Sequence, residues 1–340
     1  MANVDPLGVL TSCRAVVQSS QHVRIDDVAI ERVAVEVLDA DDPPGWDTDL
    51  HYRATGPEGD ERTAMWLMVL DALNFCFWGQ GTDPQQRWRV RWKGDLVDGY
   101  VALVAALTIA LERGFPLHDA NWLADVSEED VAEILAPADG HTEIPLFDDR
   151  VKNLRELGRG LLPYGGNPAT AFIASANGSA ITLVQKVVRA FTSFNDVTNW
   201  PYADTGLPGN EVRLFKRAQI LVGDIAGGLA GSPLADFEDL DQLTAFADYK
   251  VPQILREKGV LVYDNALAST VDSRQRIVAG DRMEVEIRAA TIVACDRLVE
   301  TLRAKGRSIT AAELDWHLWS LSQSLGGSSR PYHLTETVFY

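Results

Sequence analysis

The sequence predicts a mainly α-helical, multi-helix globular fold with one small β-hairpin. Three observations lead to this fold class. Apolar residues recur at helical intervals through most of the 340-residue chain, segments that alternate as strands do are rare, and 46% hydrophobic residues are enough for a substantial core. The longest apolar run, 100–111, is much shorter than a membrane span, and no signal peptide is recognisable. We therefore expect a soluble, cytoplasmic protein.

Most of the predicted helices carry a start or a stop signal. Acidic residues precede the helical spacing in 25–38, Gly114 and Pro116 end a buried helix, and Ser127 begins a short acidic one. Thr310-Ala-Ala-Glu313 is a capping box for the last helix. The predicted helices are 25–38, 62–73, 96–113, a short helix from 127, 148–162, 178–190, 210–229, 240–248, 252–258, 281–305 and the helix that carries Trp316 and Trp319.

Strand signals are confined to two places. Residues 87–92 alternate basic and apolar side chains, which predicts one arm of a hairpin with its partner arm near 75–78. The solvated edge of that arm would consist of Arg87, Arg89, Arg91 and Lys93. A terminal strand is predicted at 335–340. For domain organisation, we predict an N-terminal helical segment, 1–60, and a main domain, 61–340, with two lobes that meet near the glycine-containing stretch 161–167.

Charge and motif content exclude several function classes. The formal net charge is −18 and the pI is about 4.7, so extended binding to DNA or RNA is not expected, although a local basic cluster could receive a small anion. Three scattered cysteines and six histidines lack metal-ligand spacing. Dinucleotide-binding, Walker and HExxH motifs are absent from the sequence. We therefore predict no metal and no cofactor.

The segment 246–253, Phe-Ala-Asp-Tyr-Lys-Val-Pro-Gln, contains the candidate catalytic carboxylate. Pro252 lacks an N–H and is expected to begin a new helix at its first position. Asp248 would then lie at an irregular helix junction, where a side chain can point into a cleft. A catalytic carboxylate and an ordinary helix-capping Asp both fit this position.

Two further segments combine polar and aromatic residues. Asn74 ends a buried helix and is followed by rings, so it is either a helix cap above core aromatics or an amide that reads a base edge beside a stacking wall. Lys216 lies on an apolar helix, with Asp224 about 80° further round. This lysine could receive a phosphate or pair with a carboxylate. The Glu284/Arg288 pair is interpreted as helix stabilisation.

Taken in order, these segments resemble the queuosine salvage proteins, a family of queuosine 5′-phosphate N-glycosylases. The resemblance extends from about residue 60 to the C-terminus. The motifs that carry it are Asn74-Phe-Cys-Phe-Trp78, Asp98-Gly-Tyr100, Phe194-Asn-Asp196, Phe215-Lys-Arg-Ala-Gln-Ile220 with Asp224, Phe246 to Gln253, Glu284 to Ala289, Leu318-Trp319 and Pro331-Tyr-His333.

The resemblance implies release of queuine, a 7-deazaguanine base, from its ribose 5′-phosphate nucleotide, for salvage into tRNA modification. It also implies a fold similar to the helix-hairpin-helix DNA glycosylases. Asp248 would be the catalytic residue, either assisting water or forming a covalent intermediate. The implied substrate contacts are Asn74 and Asp224 at the pyrimidine edge, Lys216 at the phosphate, Phe75, Trp78 and Tyr249 around the base, and Asp196 and His333.

Two other functions stay open from the sequence. One is a non-catalytic protein that binds the nucleotide, and the other is an N-glycosidase of ordinary purine or pyrimidine nucleotides. In each case the expected partner is a small nucleotide, with neither intact nucleic acid nor a membrane involved.

Overall fold

The computed structural model describes residues 5–41, 46, 49–79, 86–326 and 328–340. Within these residues it has fourteen α-helices, which confirms the mainly α-helical prediction. The helices are α1 Val9–Gln18, α2 Asp27–Leu38, α3 Gly59–Leu73, α4 Gly99–Glu112, α5 Ala120–Ala124, α6 Glu128–Ile134, α7 Phe147–Leu161, α8 Pro168–Ala174, α9 Ala180–Ala190, α10 Lys216–Gly228, α11 Lys250–Glu257, α12 Asn265–Asp272, α13 Arg282–Ala304 and α14 Ala311–Gln323. None of the described helices is long and apolar enough to cross a membrane.

The strands are short and pair two by two. They are β1 Val23–Ile25, β2 Arg89–Trp92, β3 Asp95–Asp98, β4 Val197–Asn199, β5 Glu211–Arg213 and β6 Leu261–Tyr263. In the described part of the chain they form three antiparallel pairs, β1 with β6, β2 with β3 and β4 with β5. These pairs join segments between helices and do not form a common sheet.

The long helix α13 lies against elements from both ends of the chain. It contacts α1, α2, α11 and α14, and most of its residues are buried. Glu286 of α13 accepts hydrogen bonds from the backbone N–H groups of Gln21 (3.0 Å) and His22 (2.6 Å). The N-terminal residues therefore share the main hydrophobic core with α13. The predicted division into 1–60 and 61–340, and the lobe junction near 161–167, stay predictions.

Two buried arginines hold the chain where α3 ends. Arg150 donates hydrogen bonds to the carbonyl oxygens of Leu73 (2.5 Å), Phe75 (2.6 Å) and Cys76 (3.0 Å). Arg217 donates to the carbonyl oxygens of residues 71 and 72, at 2.8 and 2.9 Å. The last carbonyls of a helix lack partners within the helix, so these side chains replace the missing donors. They thereby fix the segment that carries Asn74.

Several predicted elements differ from the structure. The 89–92 arm pairs with β3 through a turn at Lys93-Gly94, not with 75–78, and the register matches Trp92 with Asp95. The predicted helix 240–248 is reduced to a 3₁₀ turn at Leu240–Gln242. In 335–340 there is no described strand, and the nearest pairing is one bridge between Arg276 and Leu334.

Three predicted helices begin at other residues than expected. Helix α4 begins after β3, and α10 begins only at Lys216, after β5 and after Phe215 in a left-handed conformation (φ 47°). Helix α11 begins at Lys250, so Pro252 is its third residue and not its first. Proline is tolerated there because the first four N–H groups of a helix need no intrahelical acceptor. The capping box at Thr310 and Glu313 is confirmed.

Candidate active site

A cavity of about 280 Å³ lies between the C-terminal end of α3, the start of α4, helices α10 and α14, and residues 246–250. Among the described residues, four aspartates and three basic side chains line it, together with aromatic rings. Charged groups of both signs thus lie close together in a partly apolar enclosure, a common property of binding and catalytic sites.

Asp248 both caps α11 and lines this cavity. Its Oδ1 accepts hydrogen bonds from the backbone N–H groups of Lys250 (2.7 Å) and Val251 (2.8 Å). Its Oδ2 accepts none from the part of the chain that the structure describes. Burial raises the pKa of Asp248, whereas Lys216 and the two backbone donors lower it. The capping and the cleft interpretations of this residue therefore describe the same conformation.

The segment before Asp248 is anchored by a buried ion-pair network. Arg288 Nε donates to the carbonyl oxygen of Ala247 at 3.0 Å. The same guanidinium pairs with both carboxylate oxygens of Asp196, at 3.2 and 2.5 Å, and with Glu284 at 3.3 Å. The Glu284/Arg288 pair is thus part of a larger network than the helix-stabilising pair expected from the sequence. Asp196 pairs with Arg288 and does not line the cavity.

Asp315 is a second carboxylate near Asp248 that the sequence analysis missed. It lines the cavity, is 5% exposed and accepts the backbone N–H of Phe246 at 2.8 Å. Burial, and next the charge of Asp248, raise its pKa well above the usual range. Asp315 is the fifth residue of α14, two residues after the capping-box glutamate, and no local sequence pattern distinguishes it from any other acidic residue of a helix.

Lys216 lies among these carboxylates. It is the first residue of α10 and is 5% exposed. Burial lowers its pKa, while Asp248 and Asp71 raise it. Its ammonium group has neither a hydrogen bond nor an ion pair within 4 Å among the described residues, so its charge is available to a ligand in the cavity.

A second basic group lies beside residues 98 and 332. Arg87 lines the cavity, forms a hydrogen bond with the hydroxyl of Tyr332 and pairs with Asp98 at 3.6 Å. Lys250 donates to Gln253 at 3.2 Å and to a backbone carbonyl at 3.3 Å. The prediction that Arg87 belongs to a solvated strand edge is therefore wrong. Arg87 precedes the first residue of β2, so strand alternation does not determine its direction.

Residues 50–340 match the protein family described as queuosine salvage protein. The chain belongs to this family. A protein of Sphaerobacter thermophilus is 45% identical over 338 residues, which cover 99% of this chain and 98% of that protein. A Mus musculus protein is 33% identical over 349 residues, covering 98% and 99% of the two chains, respectively. Both relatives are named queuosine 5′-phosphate N-glycosylase/hydrolase.

In this queuosine salvage family member, five of the nine candidate site residues line the cavity. They are Asn74, Lys216, Asp224, Asp248 and Tyr249. Asn74 also caps the end of α3, so both of its proposed roles are compatible with one position. The shared lining brings together residues that are up to 175 positions apart in the sequence (74 and 249).

The other four candidates lie outside the lining of the cavity. Besides Asp196, these are Phe75, Trp78 and His333. Phe75 is fully buried, with the guanidinium groups of Arg150 and Arg217 at 4.3 and 5.0 Å from its ring centre. Its ring packs against the arginines that hold the end of α3 and does not line this cavity.

Trp78 and His333 are likewise buried behind the lining. Trp78 is 4% exposed, and the guanidinium of Arg276 lies 5.3 Å from its ring centre. The Nε2 atom of His333 lies 3.1 Å from the hydroxyl of Tyr340. Burial lowers the pKa of His333 to about 3, so the ring is neutral at physiological pH. His333 can therefore orient Tyr340, which lines the cavity.

Stacking surfaces in the cavity come mostly from other rings than those expected. The rings of Trp316 and Trp319 stack with centroids 5.2 Å apart and an interplanar angle of 12°. Tyr100 meets Trp319 edge-on at 6.0 Å, and Tyr249 packs against Tyr332 at 4.8 Å. A flat base can therefore contact aromatic faces, of which Tyr249 alone had been assigned that role from the sequence.

The described residues contain no preformed metal site. No group of three or more His, Cys, Asp and Glu side chains that could hold an ion occurs in the described residues. The absence of a metal and of a cofactor stays a prediction.

Proposed function

We propose that this chain hydrolyses the N-glycosidic bond of queuosine 5′-phosphate and releases queuine and ribose 5-phosphate. Its relatives with that name align along almost the whole chain. The single observation that carries the chemistry is Asp248, a buried carboxylate with one oxygen held by two backbone donors and the other left for a ligand.

Asp248 is suited to the charge that develops during N-glycoside cleavage. Positive charge grows on the sugar as the bond to the base lengthens, and a fixed carboxylate nearby stabilises it. The free oxygen of Asp248, Oδ2, can also orient a water molecule and accept its proton. Backbone hydrogen bonds prevent the side chain from rotating away, so little reorganisation is needed at the moment of reaction.

The base is held by polar and aromatic groups of the same lining. A 7-deazapurine lacks N7, the usual protonation site of a purine leaving group, so recognition and activation must use its pyrimidine edge. Asn74 and Asp224 are the candidates for that edge. Tyr249 and the Trp316/Trp319 stack offer aromatic faces to the ring.

The 5′-phosphate requires a cation, and Lys216 is our first candidate. Its ammonium group is buried at the cavity wall and unpaired among the described residues. A compact ammonium group binds phosphate well. Arg87 and Lys250 form an alternative receiving site, since both line the same cavity.

The reaction requires no metal, no cofactor and no intact nucleic acid in this proposal. The proposed substrate is a mononucleotide, and the catalytic group is a carboxylate. The cysteines Cys13, Cys76 and Cys295 are buried free thiols, which suits a cytoplasmic protein.

The test is incubation of the purified protein with queuosine 5′-phosphate in excess EDTA, with free queuine measured by mass spectrometry. Guanosine 5′-phosphate serves as the second substrate. Release of queuine but not of guanine is expected. A protein that binds the nucleotide and releases no base would be a carrier, and release of guanine at a similar rate would indicate a general nucleotide N-glycosidase.

A further inference from the structure

Helices α3 and α10 bring two aspartates together at the wall of the cavity. Asp71 lies near the end of α3 and is completely buried, and its Oδ1 accepts a hydrogen bond from Asn74 Nδ2 at 3.1 Å. Asp224 lies on α10 and lines the cavity. The two side chains approach each other closely enough for one carboxyl group to donate a hydrogen bond to the other.

A direct hydrogen bond between two carboxyl groups requires a proton on one of them. The Oδ2 atoms of Asp71 and Asp224 are both buried, and neither receives a hydrogen bond from an N–H or O–H group. Neither carboxyl forms an ion pair within 4 Å in the part of the chain that the structure describes. Two adjacent negative charges with both Oδ2 atoms buried would be strongly unfavourable, and the side chains of Trp46 and Lys216 offset this only in part at Asp224. The pair therefore retains one proton between them.

From this geometry we propose that the Asp71–Asp224 pair is the acid that protonates the departing base. Asp224 lines the cavity and is the catalytic residue that contacts the base. Asp71 is a positioning residue that keeps the shared proton on Asp224, and Asn74 orients Asp71. The inference rests on the proposed function, because it assigns the proton that the leaving base requires.

The step balances without any further reactant. The bond between C1′ and the base nitrogen breaks, and its electron pair stays on the base. Asp224 transfers its proton to a nitrogen or oxygen of the pyrimidine ring, so that neutral queuine leaves. A water oxygen bonds to C1′ and loses a proton to Asp248. That proton returns through solvent to the Asp71–Asp224 pair, and one water molecule is consumed.

The charged surroundings of the pair agree with this assignment. Burial raises the pKa of both carboxyls, and the charge of Asp71 raises that of Asp224 further. The charges of Lys216 and Arg217 on α10 oppose this rise at Asp71, as Lys216 does at Asp224. Tyr100 of α4 also lies nearby and stays protonated, because burial raises its pKa well above the usual range.

The test compares the pH profiles of queuine release from queuosine 5′-phosphate for the wild type, Asp224→Asn and Asp71→Asn. In the wild type, the rate should fall at high pH as the pair loses its shared proton. Asp71→Asn removes the neighbouring charge, so Asp224 should ionise more easily and this fall should move to lower pH. Asp224→Asn should lower the rate by at least about a hundredfold, within the range for a lost general acid, and abolish the fall.

Binding of free queuine separates this role from a structural one. Both variants should bind queuine nearly as well as the wild type does, and Asp241→Asn, which changes an exposed aspartate, should match the wild type in every measurement. An unmoved alkaline fall in Asp71→Asn overturns the proposal. So does an Asp224→Asn variant that loses queuine affinity as strongly as rate, and this result decides alone if Asp71→Asn does not fold. Absence of queuine release by the wild type would instead contradict the proposed function itself.

Discussion

Asp248 shows how one side chain can cap a helix and also line a cavity. Only one of its oxygens is used by the backbone N–H groups of α11. Asparagine is about as good an N-cap as aspartate, because its amide oxygen accepts the same hydrogen bonds. The two roles can therefore be separated by a substitution that keeps the cap and removes the charge.

We expect Asp248→Asn to retain the fold and ligand binding and to lower turnover by at least about a hundredfold, the range for loss of electrostatic stabilisation of a transition state. The measurement is queuine release, with thermal unfolding and queuine binding as checks. Asp264→Asn is the matched control, since Asp264 caps α12 by accepting the backbone N–H of Leu267 and lies outside the cavity. Near-normal turnover of Asp248→Asn would remove this residue from the mechanism.

Lys216 can be tested through the difference between two ligands. If it receives the phosphate, Lys216→Ala should weaken binding of queuosine 5′-phosphate more than binding of queuosine, by about 1.5–3 kcal/mol for a charge-assisted contact. Any effect on Asp248 or Asp315 is common to both ligands and cancels in the comparison. Isothermal titration calorimetry, with the Lys216→Ala change made in the inactive Asp248→Asn variant, gives the affinities for queuosine 5′-phosphate and queuosine.

Equal losses for the two ligands would show that Lys216 is structural. The same pair of titrations on Lys250→Ala then decides whether the alternative site is used. If Lys250→Ala loses affinity for queuosine 5′-phosphate more than for queuosine, and Lys216→Ala does not, the phosphate lies beside Arg87.

Individual site residues could be predicted where type and local pattern sufficed. Asp248 beside Tyr249 and before a proline, and Lys216 on an apolar helix, are local signals, and both residues line the cavity. Phe75 and Trp78 have the same local signal as lining rings, yet they are buried behind the cavity. Only the packing of distant helices decides which side of an aromatic cluster faces a ligand.

At the scale of elements, the end of α3 depends on side chains that come from far along the chain. Arg150 of α7 donates to three carbonyls after residue 72 and also to Pro145 at 2.9 Å. Such long-range capping leaves no sequence pattern near α3 itself. Local signals, by comparison, correctly predicted the capping box of α14 and the start of α13.

Arg150→Met should therefore lower the free energy of unfolding by about 3 kcal/mol or more, because it leaves several buried carbonyls without a donor. Urea unfolding followed by circular dichroism measures the change. Arg159→Met on the same helix is the control, since its side chain is 63% exposed and its ion pair with Asp125 is long (3.8 Å). A loss in Arg150→Met no larger than in the control would mean that water replaces the guanidinium.

Helix boundaries that depend on hydrogen bonds from side chains were predicted less well. Because Asp248 caps α11, the helix begins at Lys250, two residues before Pro252. The capping side chain thus outweighs the tendency of proline to occupy the first position of a helix. Residues 243–248 have helical spacing but form no regular secondary structure. There Phe246 donates its backbone N–H to Asp315 of α14, which competes with a local helix. In the second case a contact made by another element decides the local conformation.

For the whole molecule, charge and topology restrict what can reach the site. The protein carries a formal net charge of −18, whereas basic side chains line the cavity itself. Arg87, which the sequence assigned to an exposed basic strand, lies in that lining, and Arg89 is only 28% exposed beside Asp98. The strand thus presents less exposed positive charge to a polymer than its sequence indicates.

This charge distribution predicts that the protein acts on the mononucleotide and not on intact tRNA. A polyanion must approach a protein of the same net charge, in which 49 acidic residues outnumber 31 basic ones. Fully modified tRNA incubated with the protein at low salt should therefore yield no queuine, while its nuclease digest, once it contains queuosine 5′-phosphate, should yield queuine in the same assay. The digest serves as the positive control for the modified base.

Release of queuine from intact tRNA, with a rate that falls steeply as salt is added, would mean that Arg89, Arg91 and Lys93 bind the polymer after all. Charge reversal at the two arginines, Arg89→Glu with Arg91→Glu, should then abolish the reaction on tRNA and leave that on the mononucleotide unchanged.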